Sequence, residues 1–275
     1  MPEYKIVASD LDGTLLRNDA TISEENKRAI EEMTKLGVHF VPSTGRAYGE
    51  LDAEVKSNPH VRYIIHSNGA VIYDTKTGKR YTKCLPPQWA KFILDILWEC
   101  NALLIVRHEG NGYVDAKRLN EQEYEYSHIN AYCREFMETF CVPVDDFKDF
   151  CYSLDEIEMV GAFFHDNDQR LACMKRFEDT GELIVASIAA SNLEVFSIEA
   201  GKGNALLRLA DMLGVDRQAT ISVGDSTNDS TSIQAAGLGL AMSNGVDKLK
   251  EIADEVICSN EEHAMAYILE HYIKK

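Results

Sequence analysis

Tyr4-Lys5-Ile6-Val7-Ala8-Ser9-Asp10-Leu11-Asp12-Gly13-Thr14 opens as a short apolar run of β-forming residues and closes on two carboxylates, a glycine and a hydroxyl. Such a run reads as a buried strand that delivers Asp10 and Asp12 to a loop at its carboxyl end. Downstream, Ser23 precedes Glu24, Glu25 and the apolar positions Ala29, Ile30, Met33 and Leu36, with Gly37 as a stop. This predicts an N-capped amphipathic helix. Val38 to Ser43 then predicts a second strand. Strand, helix and strand in this order imply a right-handed crossover and a parallel sheet. Thr44-Gly45-Arg46 falls at the carboxyl edge of that sheet, where open α/β sheets bind ligands.

Arg62 to His66 predicts a third strand, and Asn68-Gly69-Ala70 with Thr75-Lys76-Thr77-Gly78 predicts a hairpin running to about Lys83. From Cys84 to Ser191 the pattern changes to a helix over 88–101, paired strands near 102–116, one aromatic and acidic helix over 119–140, a strand, a helix over 168–179 and a strand. The βα rhythm returns with a strand from Leu193 to Ile198, a helix over 203–213, strands from Ala219 to Val223 and Leu238 to Met242 around a helix over 229–236, and a terminal helix after Ser259. The expected fold is α/β: a doubly wound, Rossmann-like parallel-sheet core from residues 1–83 and 192–275, with an inserted α+β domain over 84–191.

The 275 residues carry 45 acidic against 28 basic side chains, a formal charge of -17 that would repel a polyanion. No Lys/Arg run makes a basic groove, so nucleic acid is not expected as a partner. Seven cysteines, odd in number and never spaced Cys-x-x-Cys, suggest reduced thiols rather than a disulfide framework or zinc site. The eight histidines show no metal-ligand spacing, and no segment approaches a membrane-spanning length. A soluble cytoplasmic protein without a membrane partner is expected.

Gly13 and Thr14 make Asp-Leu-Asp-Gly-Thr more specific than its two acids alone, because glycine lets the backbone turn closely about a ligand and threonine adds a hydroxyl. A second acidic string, Gly224-Asp225-Ser226-Thr227-Asn228-Asp229, follows another apolar strand. In one sheet the two loops would gather Asp10, Asp12 and Asp225, an unfavourable arrangement without a cation. A few oxygen ligands point to Mg2+. Thr44 offers a hydroxyl near a helix start, and Lys202 in Gly201-Lys202-Gly203 is a cation where a helix dipole favours an anion.

Taken in order, these four stretches resemble the haloacid dehalogenase (HAD) superfamily of phosphatases, and the large insertion is similar to the type-two cap of its Cof-type branch. Asn68-Gly69-Ala70, Ala241-Met242-Ser243-Asn244-Gly245 and Ser259-Asn260-Glu261 are similar to the Cof pattern more weakly. The resemblance implies a phosphoric monoester hydrolase acting on a small phosphorylated metabolite, a sugar phosphate or phosphorylated cofactor. In that reading Asp10 attacks phosphorus to form an aspartyl-phosphate, and Asp12 serves as acid and then base. Mg2+ is held by Asp10, the Asp12 carbonyl and Asp225. Thr44, Gly45, Lys202 and Asn228 hold the phosphoryl group, and Asp229 orients Lys202 or a metal-bound water. Arg46 stays open between substrate contact, solvated residue and structural ion pair; Arg107, His108 and the aromatic stretch Tyr124–Tyr132 are candidate substrate contacts of the insertion or core residues. Two departures from the family pattern stand out: Ser230-Thr231-Ser232 replaces apolar residues and Gly245 replaces alanine. A phosphomutase would use the same two aspartates, whereas a phosphorylation-dependent regulator would not keep Asp12 beside the phosphoryl group.

Overall fold

In the computed structural model, which describes residues 3–187 and 190–274, the chain opens with β1 (Ile6–Ser9), every residue of which is buried. The helix Glu24–Lys35 follows, with the Ser23 hydroxyl accepting the Asn26 N–H at 3.2 Å. It buries Ala29, Ile30 and Met33, the apolar face that the spacing predicts, and Gly37 leaves it at a φ of +80°. Then come β2 (His39–Pro42), β3 (Tyr63–His66), β4 (Val71–Asp74) and β5 (Lys79–Thr82). The next six strands are β6 (Leu103–His108), β7 (Asn111–Asp115), β8 (Val142–Val144), β9 (Met159–Phe163), β10 (Leu183–Ala186) and β11 (Asn192–Ser197). Three more close the chain: β12 (Thr220–Gly224), β13 (Leu238–Met242) and β14 (Glu255–Ile257).

Two compact units result, and neither is one continuous stretch. The first comprises residues 1–45, 52–81 and 201–275. Its parallel sheet has the order β14-β13-β12-β1-β2, and β3 of a separate antiparallel β3-β4-β5 sheet bridges to the outer side of β2 through Ser43 and Ile65. After β1 the chain builds outward to β2, and later returns to the opposite side of β1 with β12. Strand order therefore reverses at β1, and the crevice at the carboxyl ends of β1 and β12 is the kind of place where α/β sheets take ligands. Ile6, Ala8, Val41, Ile65 and Leu206 share one apolar cluster of this unit's core.

The second unit comprises residues 46–51 and 82–200. Its six-stranded sheet has the order β10-β11-β9-β6-β7-β8 and is antiparallel except for the β7–β8 pair. Three sequence expectations need correction here. The strand read at Leu193–Ile198 is present, but it pairs with β9 and β10 rather than re-entering the first sheet, so the return to the first unit comes at Gly201 rather than at 192. A short run of apolar and β-forming residues reveals a strand but not its partner. The single helix over 119–140 is two, Glu121–Tyr126 and Ala131–Phe140, broken where His128 turns to a φ of +51° and Asn130 caps the next helix on the Cys133 N–H. Finally, Arg46–Leu51, placed in the core by its position in the sequence, belongs to the second unit. Among the described residues no helix is long and apolar enough to cross a membrane.

Candidate active site

Asp10 leaves β1 in the first unit 6% exposed, with its backbone N–H bonded to the Val223 carbonyl of β12 at 3.0 Å. Gly13 turns the following loop at a φ of +74°, and a Cβ there would run into the Asp225 carboxylate. Glycine therefore lets the two acidic loops close on one another. Thr14 donates its hydroxyl to Asp225 Oδ1 at 3.4 Å.

Lys202 begins the helix Lys202–Leu213 and is 1% exposed. Its Nζ donates to Asp10 Oδ1 at 2.8 Å and to Asp229 Oδ1 at 2.6 Å. The cation at a helix N-terminus is thus explained by two buried anions. Burial opposes the Lys202 charge, but Asp10 and Asp229 more than offset this and hold the ammonium protonated. Asp229 is itself fixed, because its Oδ2 accepts the Asp225 and Ser226 N–H groups at 3.1 Å each. Through these three contacts Asp229 links the Asp225–Ser226 turn to the Lys202 ammonium.

Carboxylate oxygens of Asp10, Asp225 and Asp229 lie within 4.8 Å of one another. Burial, then the charge of Asp229, pushes the Asp225 carboxyl up to about 6. Burial and the neighbouring Asp229 likewise raise Asp10 well above the usual carboxylate range, against the opposing pull of Lys202. Three acids facing one lysine leave an excess of negative charge, and hard oxygen donors carrying that excess fit a divalent cation such as Mg2+.

Thr44 is 1% exposed just beyond β2, with its N–H bonded to the Ile65 carbonyl and its carbonyl accepting the Asn68 N–H. Ser67, Asn68 and Gly69 take φ values of +50°, +50° and +87° in succession. Side chains with a Cβ pay on the order of 1–2 kcal/mol for that region, so the loop holds strain that its surroundings must offset. Asn68 is 1% exposed, and its Oδ1 accepts from Asn228 Nδ2 at 3.3 Å. Sequence reasoning placed Asn68 in a turn and in a string weakly similar to the Cof pattern but gave its side chain no role.

Both departures from the family pattern have local causes. Ser232 donates to the Asp229 carbonyl at 2.9 Å, and the Thr231 hydroxyl accepts the Gly203 N–H at 3.2 Å. At Gly245, a Cβ would lie 2.7 Å from the Asp225 carbonyl oxygen, so alanine would not fit without a shift. Asn244 donates to the Gly13 carbonyl at 2.8 Å and Asn260 to the Leu16 carbonyl at 3.0 Å, which ties these weaker motifs to the loop after β1.

Arg46 is not a solvated residue: it is 8% exposed in the second unit, bonded to the Glu50 carbonyl and the Tyr132 hydroxyl at 3.4 Å each. Arg107 is likewise structural, 4% exposed, with its Nε 3.1 Å from both Glu50 oxygens and its Nη1 3.5 Å from Glu194. His108 bonds the Glu156 carbonyl, and Tyr124 is buried while Tyr126 and Tyr132 are exposed.

Residues 7–269 match the model of the haloacid dehalogenase-like hydrolases. Phosphatase YwpJ of Bacillus subtilis is 31% identical over 98% of this chain and 100% of its own. The 5-amino-6-(5-phospho-D-ribitylamino)uracil phosphatase YcsE of Bacillus subtilis is 28% identical over 98% of this chain and 96% of its own. A solved haloacid dehalogenase-like hydrolase from B. subtilis superposes with a TM-score of 0.83 at 29% identity, covering 98% of this chain and all of its own.

Proposed function

Because the chain belongs to the haloacid dehalogenase-like hydrolases and is a phosphatase of that family, we propose that it hydrolyses small phosphorylated metabolites, sugar phosphates or phosphorylated cofactors, through an aspartyl-phosphate on Asp10 with Mg2+ bound. The observation that carries this reading is Lys202 bridging Asp10 and Asp229 beside the Asp225 carboxylate. Asp10 attacks phosphorus with one carboxylate oxygen, its ionised form favoured by the Lys202 ammonium 2.8 Å away, and the substrate alkoxide leaves with a proton from Asp12. Asp12 then takes a proton from the water that cleaves the acyl-phosphate, returning Asp10 and inorganic phosphate. Lys202, Thr44, the Gly45 backbone and Asn228 hold the phosphoryl oxygens, so the protein chiefly positions the group and supplies positive potential. Asp10, the Asp12 carbonyl and Asp225 would hold Mg2+, which supplies charge neutralisation at the phosphoryl oxygens.

The test is phosphate release from sugar phosphates, nucleotides, flavin mononucleotide and pyridoxal phosphate, with Mg2+ or chelator, for the wild type and Asp10→Asn. Release that needs Mg2+ and vanishes in the variant is the expected result. Isomerised sugar phosphate without free phosphate would replace hydrolysis by a mutase reaction, and release that survives in Asp10→Asn would remove the covalent step.

A further inference from the structure

We propose that Asn68 is a positioning residue for phosphoryl binding: its side-chain carbonyl sets the orientation of the Asn228 amide, while its backbone locks the Thr44-Gly45 loop. The inference rests on the phosphatase reading above and adds a residue that takes no part in the chemistry itself.

The Asn228 amide is held at both ends. Ser226 Oγ donates to its Oδ1 at 2.6 Å, and its Nδ2 donates to Asn68 Oδ1 at 3.3 Å. An amide nitrogen carries two hydrogens, so one is committed to Asn68 and one remains for a phosphoryl oxygen. Without an acceptor at Asn68 the amide loses the partner that distinguishes its nitrogen end.

The same residue reaches the other phosphoryl-holding loops. Its N–H donates to the Thr44 carbonyl at 3.1 Å. A Cβ on Gly45 would lie 3.0 Å from Asn68 Oδ1, so the Gly45 backbone passes closely over this amide. The next residue, Gly69, packs against the Gly201 carbonyl and the Lys202 N–H so closely that a Cβ would overlap them, and Arg208 donates to the Gly69 carbonyl at 2.8 Å. One strained turn therefore braces the loops of Thr44, Lys202 and Asn228 from within the first unit. Strain held in a buried left-handed asparagine, where glycine would be relaxed, points to a need for the side chain.

Asn68→Gly separates positioning from folding, because glycine accepts this backbone freely. With the best substrate of the panel, kcat and thermal midpoint are measured for the wild type, Asn68→Gly, Asn228→Ala and the double variant. The expected result is a midpoint no lower than the wild type, a roughly tenfold fall in kcat for each single variant, and a double variant no slower than the slower single. An Asn68→Gly rate within about twofold of the wild type, effects that multiply in the double variant, or a lowered midpoint would each overturn the proposal. A wild type that releases no phosphate from any compound would instead remove the phosphatase reading, and this inference with it.

Discussion

Asp10 on its own would make a poor nucleophile, because burial and three neighbouring acids raise its carboxyl and favour the protonated, unreactive form. Lys202 opposes them at 2.8 Å. Lys202→Met keeps much of the side chain's bulk and removes the charge, so kcat is expected to fall by about 10²–10³, the range for loss of one preorganised charge-stabilising group. Phosphate release by the variant at saturating substrate, with circular dichroism to confirm folding, checks this. At this scale the placements of Asp10, Thr44, Asp225 and Lys202 were legible in short strings, the first three just beyond strands and the last opening a helix. The role of Asn68 was not, because its decisive bond is to Asn228, 160 positions away, and no local pattern encodes such a partner.

Among the elements, β6 and β11 of the second unit bring Arg107 and Glu194 together and collect Glu50 from a segment far away in the chain. The three side chains are between 0% and 5% exposed, so their charges have little water to compensate them. Arg107→Met would leave two buried carboxylates without their guanidinium. A loss of about 3–5 kcal/mol in unfolding free energy is expected, measured by urea denaturation. In the sequence this arginine ends the apolar run 103–106, which names no partner for it, so it stood open as a substrate contact or a core residue. The apolar pattern gave the existence of β11 correctly and its sheet wrongly, and helical spacing ran across His128 because a single left-handed residue leaves no trace in periodicity.

Over the whole molecule, the buried thiols all belong to the second unit. Cys133, Cys141, Cys151 and Cys173 are buried, and burial pushes Cys141, Cys151 and Cys173 up to about 12. Cys84, Cys100 and Cys258 are only partly covered. Titration of the native protein with an aromatic disulfide reagent is expected to modify these three first, with the other four reacting at rates set by unfolding, and all seven reacting at once in denaturant.

The chain passes between its two units at residues 45/46, 51/52, 81/82 and 200/201. Modular exchange between relatives is therefore not a matter of one cassette. A transplant of 82–200 alone would carry the Arg107 guanidinium to a host and leave Glu50 behind, and Gly112, whose backbone passes too close to the Glu50 carboxylate to admit a Cβ, would face a stranger's side chain. Recombination that changes the second unit must bring the six-residue Arg46–Leu51 stretch along, and drift in that stretch is bound to drift in β6 and β7.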